Sequence, residues 1–216
     1  MAAGRLVYCE TDFGDDKDVL TTGPDESYVL SDLHAVNSDG STKYLNFYIE
    51  PLEGAASDNY SHAFLYQKSI AAYGFLKYER QNILIPPNHQ IRVKSSANVT
   101  LMMWISPAPS GLRVYRRTGT TSQWIPVITT GPDESFLIRH LHLFNCLSSG
   151  TTSHLRMKPT EGASTITAAH KFLSHYTLNG RESIEWTQQQ LVMPSSHIME
   201  MQLYTGVTLW IWGYMQ

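Results

Sequence analysis

Thr21-Thr22-Gly23-Pro24-Asp25-Glu26-Ser27 recurs without change as Thr129-Thr130-Gly131-Pro132-Asp133-Glu134-Ser135, 108 residues further along the chain. Sliding the whole sequence by that offset keeps the register without a gap. Pro51, Glu53, Gly54 and Ala55 fall on Pro159, Glu161, Gly162 and Ala163, and Phe64-Leu65 falls on Phe172-Leu173. Pro86 and His89 fall on Pro194 and His197. Val99-Thr100-Leu101 and Trp104 fall on Val207-Thr208-Leu209 and Trp212. Upstream, Arg5 and Leu6 fall on Arg113 and Val114, so each copy opens with a short strand of its own. Repeats of roughly 20–50 residues mark solenoids and propellers; a longer period at one fixed offset is a duplicated domain. The expected division is a first domain over 1–106, a linker over 107–111 and a second domain over 112–216. The prolines of Ser106-Pro107-Ala108-Pro109-Ser110-Gly111 lack the N–H that helix or ladder needs, which is why this stretch reads as the linker.

Inside each copy the hydrophobic period is two. Leu45, Phe47 and Ile49 alternate with Tyr44, Asn46 and Tyr48, and Ile91 and Val93 alternate with Gln90, Arg92 and Lys94. Met199, Met201 and Leu203 do the same against Ile198, Glu200 and Gln202. Such runs are half-buried strands. Turn residues separate them at Gly23-Pro24-Asp25, Asn37-Ser38-Asp39-Gly40, Pro86-Pro87-Asn88 and Ser95-Ser96-Ala97-Asn98. Only Ser61 to Ala72 could pass for a helical turn. The fold class expected is all-β: two tandem antiparallel β-sandwich or jelly-roll domains related by internal duplication, each of seven or eight strands. In the repeated heptapeptide, Pro24 presets the first central turn position, Asp25 can bond the backbone two residues on, and Ser27 opens a long strand.

Composition excludes several classes. A hydrophobic content of 42% suffices for two cores, and a formal net charge of -3 gives no electrostatic reason to expect nucleic acid or an anionic membrane. The one local basic cluster, Arg113, Arg116 and Arg117, reads as solvated strand residues. Cys9 and Cys146 fall at unrelated places in the repeat, so no disulfide framework is expected. Met1 to Asp12 has no apolar core of a signal peptide, and no run approaches the roughly 18 apolar residues of a membrane span. The chain reads as soluble and made in a reducing cytoplasm.

The histidines receive the closest reading. His34, His62 and His89 recur as His142, His170 and His197. Asp32 and His34 are two apart and share a strand face, as do His140 and His142. An H-x-H strand on a jelly roll is how cupin proteins begin a metal site, but no glutamate follows at cupin spacing. The expectation is turn, face or interface histidines, with no metal, no cofactor and no catalysis. No nucleophile elbow, P-loop, C-x-x-C or dinucleotide fingerprint occurs. Glu182 with Glu185, and Asp15 with Asp16, read as solvated loop carboxylates.

The last strand of the second copy places Val207, Leu209 and Ile211 on one side and Thr208, Trp210 and Trp212 on the other. With the first set in the core, the tryptophans face outward, and Trp104 holds the matching place in the first copy. Trp104, Trp210, Trp212, Tyr44 and Tyr48 are therefore the expected partner surface, because large aromatics on an outer face mark interfaces. Stacking on sugar rings is the rival use of such residues.

Each copy thus reads as a glycine-proline turn, a long strand ending in Asn, a strand, a mobile loop, an apolar pair, then L-x-x-P or I-P-P, an alternating strand and a closing V-T-L. The residues are Pro24, Leu30, Leu33, Asn37, Ile70, Leu84, Pro86, Ile91, Val93, Val99, Thr100 and Leu101. In the second copy they are Pro132, Ile138, Leu141, Asn145, Leu178, Val192, Pro194, Met199, Met201, Val207, Thr208 and Leu209. The pattern resembles small β-sandwich, jelly-roll-like virion structural proteins of tailed bacteriophages, here as a tandem duplication. Members are commonly single-domain, and their glycine-aspartate near the penultimate turn is here Asn88-His89 and Ser196-His197. The resemblance implies a non-enzymatic virion component assembled in the host cytoplasm. An accessory protein decorating or cementing the capsid is the leading expectation, and a neck or tail component or a carbohydrate-binding adsorption module the alternatives. The implied partners are further copies of the chain in a trimer or hexamer, the major capsid or neck and tail proteins, and possible cell-surface glycan, with neither nucleic acid nor membrane.

Overall fold

The computed structural model describes residues 5–11, 17–53, 62–79, 83–95, 98–119, 123–161, 171–186 and 190–216. Gly54, Ala55, Gly162, Ala163, Asp15, Asp16 and His170 lie outside the described residues. The chain divides into two compact units, Met1–Ser110 and Gly111–Gln216.

The first unit holds β1 (Arg5–Thr11), β2 (Lys17–Thr21), β3 (Tyr28–Asn37), β4 (Lys43–Pro51), β5 (Ala63–Ile70), β6 (Phe75–Tyr78), β7 (Ile83–Ile85), β8 (His89–Ser95) and β9 (Val99–Pro107). One sheet runs β1-β9-β3-β6 with β7 also on β3, and the other runs β2-β8-β4-β5. The second unit holds β10 (Leu112–Thr118), β11 (Ile125–Thr129), β12 (Phe136–Asn145), β13 (Thr151–Pro159), β14 (Lys171–Leu178), β15 (Ser183–Trp186), β16 (Leu191–Met193), β17 (His197–Leu203) and β18 (Val207–Met215). Its sheets run β10-β18-β12-β15, with β16 on β12, and β11-β17-β13-β14. Strands β11 to β18 begin and end 108 residues after β2 to β9, so the offset read from the sequence is the offset of the architecture. Every pairing between strands is antiparallel, and the described residues contain no α-helix.

Two expectations are corrected. The described residues of each unit form nine strands rather than seven or eight, because the short β6 and β7 (β15 and β16) both pair with the same long strand. Ser61 to Ala72 is no helical turn: Ala63–Ile70 forms β5 against β4. The period-two signal fails there because the register shifts beside Gln67, whose φ is 48° and whose N–H donates to Asn46 Oδ1. A second shift skips Phe64 between the Leu65 and Ala63 pairings, and Ala63, Phe64 and Leu65 are all buried.

The core of the second unit draws on both of its sheets: Phe136, Ile138, Leu141 and Leu143 meet Leu155, Met199 and Met201, with Leu209 and Ile211 from β18. The repeated heptapeptide anchors one end of each sandwich. Thr22 Oγ1 donates to the Pro86 and His89 carbonyls and accepts from the His89 N–H; Thr130 repeats this with Pro194 and His197. The Glu26 and Glu134 carboxylates accept from the Gly23 and Gly131 N–H groups. These two residue types hold the turn together, beyond the roles read for Pro24 and Asp25. At the other end, the buried Asn37 donates to the Ser41, Ile70 and Ala71 carbonyls and accepts from the Asp39 N–H. Asn145 does the same with Ser149, Leu178, Asn179 and Leu147. A neutral amide suits this place because it satisfies carbonyls and an N–H at once without burying a charge.

Candidate functional site

A register shift in β12 positions the most unusual cluster. Pairing with β18 skips between Ile138 and His140, leaving Arg139 as the extra residue. Such a bulge re-aims the side chains that follow it. Ile138, Leu141 and Leu143 enter the core, while His140 and His142 face the other side of the sheet, opposite Trp212 and Trp210. There His140 meets Trp212 edge-on at 4.6 Å, Trp210 and Trp212 stack at 5.8 Å with planes 5° apart, and the Arg116 guanidinium lies over Trp210 at 5.4 Å.

These contacts correct the interface expectation for two residues. Trp210 and Trp212 are 2% and 1% exposed. They do stand opposite the core-facing residues, but rings, imidazoles and a guanidinium cover them. Arg116 of the basic cluster is thus engaged on an indole, while Arg113 and Arg117 are exposed. Trp104 is half-buried and meets His34 at 4.9 Å. Tyr48 is buried beneath Arg92, whose guanidinium lies 5.1 Å from the ring, which corrects its placement as well; Tyr44 is exposed.

Glu185 completes the cluster. It lies on β15 directly opposite His142, not in a solvated loop. Its carboxylate stands 3.2 Å from His142 Nδ1, and its side chain is only 15% exposed. One donor atom from each of His140, His142 and Glu185 lies within 4.8 Å of the other two. Neither ring nitrogen of His140 has a hydrogen-bond partner among the described residues. Burial, then the neighbouring His142, push the His140 imidazole down to about 4, with Glu185 pulling the other way. His140 is therefore neutral at physiological pH. Sequence reasoning missed Glu185 because its companion Glu182 does cap a turn, accepting from the Asn179 N–H. The 108-residue offset gave no further signal, because it aligns Glu185 with Lys77.

The other described histidines take no part in this cluster. His89 and His197 open β8 and β17 directly after a turn, and their Nδ1 atoms lie 2.8 and 2.7 Å from the Pro87 and Ser195 carbonyl oxygens. His62 is buried. Asn88 and Ser196, which precede the turn histidines, both take positive φ, 54° and 52°. Cys146 is a free, buried thiol.

The outer face of the other sheet carries a second matched arrangement. In the first unit Glu50 and Arg92 form a buried ion pair at 2.8 Å. In the second, Arg156 pairs with Glu200 and lies over Trp124 at 3.8 Å, and Lys158 adds a contact to Glu200 at 3.3 Å.

Among the described residues, the first unit exposes three large aromatic side chains and the second unit one, Tyr204. Tyr73 and Phe75 are 77% and 74% exposed, Tyr44 is exposed too, and Val36, the strand partner of Phe75, is at the surface. They cluster at one end: the Tyr73 N–H donates to the Asp39 carbonyl, and Lys43 beside Tyr44 pairs with Asp39 at 2.9 Å. Lys43, followed by Asn98 and Ser41, holds the Asp39 carboxyl well below the usual range. The equivalent positions in the second unit are Arg181, Ser183, Thr152 and the buried Phe144. The second unit has an open cleft of about 420 Å³ lined by Thr130, Pro132, Pro159, Glu161, Ser196 and His197 among others. Among the described residues, no helix is long and apolar enough to cross a membrane.

No family model matches the chain, and no curated protein matches it. Among solved structures it is similar to the STIV MCP, at 12% identity and a TM-score of 0.30 over 98% of this chain and 96% of that one. It is similar to a fucolectin from the serum of the striped bass Morone saxatilis, at 8% identity and a TM-score of 0.28 over 95% and 84%. A third similarity is to the N-terminal CBM22-1-CBM22-2 tandem domain of Xyn10C from Paenibacillus barcinonensis, at 10% identity and a TM-score of 0.25 over 99% and 98%. Similarities this distant carry no functional conclusion, and the functional reading rests on the residues of the chain itself.

Proposed function

We propose that this chain is a non-enzymatic structural component of a tailed-bacteriophage virion, an accessory protein that decorates or cements the capsid. The observation that carries the assembly role is a division between scaffold and surface. Thr22 and Thr130, Glu26 and Glu134, and Asn37 and Asn145 do identical work in the two copies. Tyr44, Tyr73 and Phe75 are exposed aromatics in the first copy and Thr152, Arg181 and Ser183 in the second. Exposed aromatic clusters are where partner proteins bind, and a single-copy patch lets a duplicated chain make one kind of contact per protomer. The virion setting is supported by the resemblance of the turn and strand motifs.

The occupant of that patch is a second copy of the chain. A duplicated domain lets three chains present six similar faces and six chains present twelve, and closed rings also cover exposed sheet edges. A homotrimer on a capsomer, in contact with the major capsid protein, is the arrangement proposed; a neck or tail ring is the second place the same symmetry fits. The adsorption-module reading is the alternative use of the same exposed aromatics, Tyr44, Tyr73 and Phe75, as a platform for sugar rings. The test is mass spectrometry of purified particles together with a rebinding assay. The chain should be present in fixed stoichiometry, and Tyr73→Arg with Phe75→Ser, which installs the second copy's residues, should abolish rebinding without unfolding the protein. Absence from purified particles would overturn the proposal.

A further inference from the structure

We propose that His140, His142 and Glu185 form a binding site for one divalent transition-metal ion of the zinc type, present in the second domain and absent from the first. Two imidazole nitrogens and a carboxylate oxygen are a donor set suited to zinc and its neighbours rather than to calcium or magnesium. A tetrahedral ion with bonds of about 2.0–2.1 Å holds its donors ~3.3 Å apart. His142 and Glu185 already stand at 3.2 Å. All three donor atoms lie within 4.8 Å of one another, so small side-chain rotations suffice to bring them to that spacing. His140 is 2% exposed and both its ring nitrogens lack a partner among the described residues. A buried polar group left so is costly unless something satisfies it, and a cation satisfies the nitrogen that carries the lone pair. The partial exposure of Glu185 leaves a side open for entry and for a water in the fourth position.

The duplication supplies an internal control. At the 108-residue offset the three ligands become Asp32, His34 and Lys77, and His34 lies opposite Lys77 on neighbouring strands as His142 lies opposite Glu185. An ammonium where the second unit has a carboxylate repels a cation, so the chain should bind one ion, not two. The ion would tie the four-residue edge strand β15 to β12, adding to the sheet a link that spans two strands.

The test uses the full chain, stripped with a chelator and titrated with zinc chloride by calorimetry, with Co²⁺ as a spectroscopic probe. One equivalent of zinc per chain is expected, with tetrahedral Co²⁺ bands in the visible and a higher melting temperature for the loaded protein. Glu185→Gln, nearly isosteric and partly exposed, should weaken zinc binding by roughly 100-fold or more, as should His140→Asn, while His34→Asn leaves it unchanged. Circular dichroism in the presence of chelator establishes that the variants are folded. A wild-type chain that takes up no zinc at stoichiometric concentration overturns the site whatever the variants do. So does one equivalent held with equal affinity by both Glu185→Gln and His140→Asn, which would place the zinc elsewhere.

Discussion

Arg92 and Glu200 occupy the same position in the two copies, carry opposite charges, and each holds a buried partner of the opposite sign. Arg92 takes Glu50, two residues along the facing strand from Tyr48, while Glu200 takes Arg156, directly opposite. An aromatic ring lies against the guanidinium in both, Tyr48 in one and Trp124 in the other. The duplicated scaffold thus keeps a salt bridge and a cation–π contact while inverting their polarity, and each copy holds a self-consistent set.

Removing one member of such a pair leaves a buried charge without its counterion, which costs about 3–5 kcal/mol. Glu50→Gln should therefore destabilise the first unit by about 3 kcal/mol in urea unfolding. The double variant Glu50→Leu with Arg92→Leu should recover most of that loss. Equal destabilisation by the single and the double change would show that the ion pair itself, not the orphaned charge, matters.

Trp210→Ala should act on folding. A large aromatic at 2% exposure, stacked on Trp212 and covered by Arg116, leaves a cavity when truncated, at a cost of about 3–5 kcal/mol. The measurement is thermal unfolding alongside sedimentation at matched fraction folded. A variant with unchanged melting but a shifted oligomer equilibrium would restore these tryptophans to a partner surface.

Asn145→Ala should cost about 2–4 kcal/mol, because it removes three donated bonds and one accepted bond at a site with no exposure. Asn37→Ala should match it, since the network is the same. Hydrogen exchange at the Leu147 and Asp39 amides, which lose their acceptors, reads the effect locally. Unchanged protection at both would contradict the assignment of this residue as the clamp of the loop.

Burial pushes the Cys146 thiol above its ordinary range. The reactive species is the thiolate, so a raised pKa leaves less of it at pH 7–8 and slows alkylation. Peptide-resolved labelling with iodoacetamide should find Cys146 modified well below the rate of a free cysteine in native protein and at the free rate in urea. Native labelling at the free rate would mean that the residue is accessible.

Much of the fold was legible because the duplication tests itself: a register that holds over the whole chain constrains every strand twice. Turn chemistry at Pro24 and Pro86 and period two in β4 and β8 were enough to place these elements. The parts that escaped were long-range. The bulges at Ser31 and Arg139, which decide which side of the sheet Asp32, His34, His140 and His142 face, leave no local mark, since one extra residue looks like ordinary sequence. Alternation correctly put Trp210 and Trp212 opposite the core, but it has no information on what covers an outer face. Tyr48 was misplaced for the same reason, because its cover, Arg92, comes from a strand 44 residues away. Glu185 was illegible because its meaning depends on pairing with His142 across two strands.

The most direct test of the proposed virion role is a cryo-electron microscopy map of intact particles from cells that produce the chain. Density for copies of the chain in threefold or sixfold arrangement, with the Tyr73 and Phe75 end of the first domain buried against a neighbouring copy, is the predicted result. Isolated monomers on the particle with that end open to solvent, or no density for the chain at all, would contradict it.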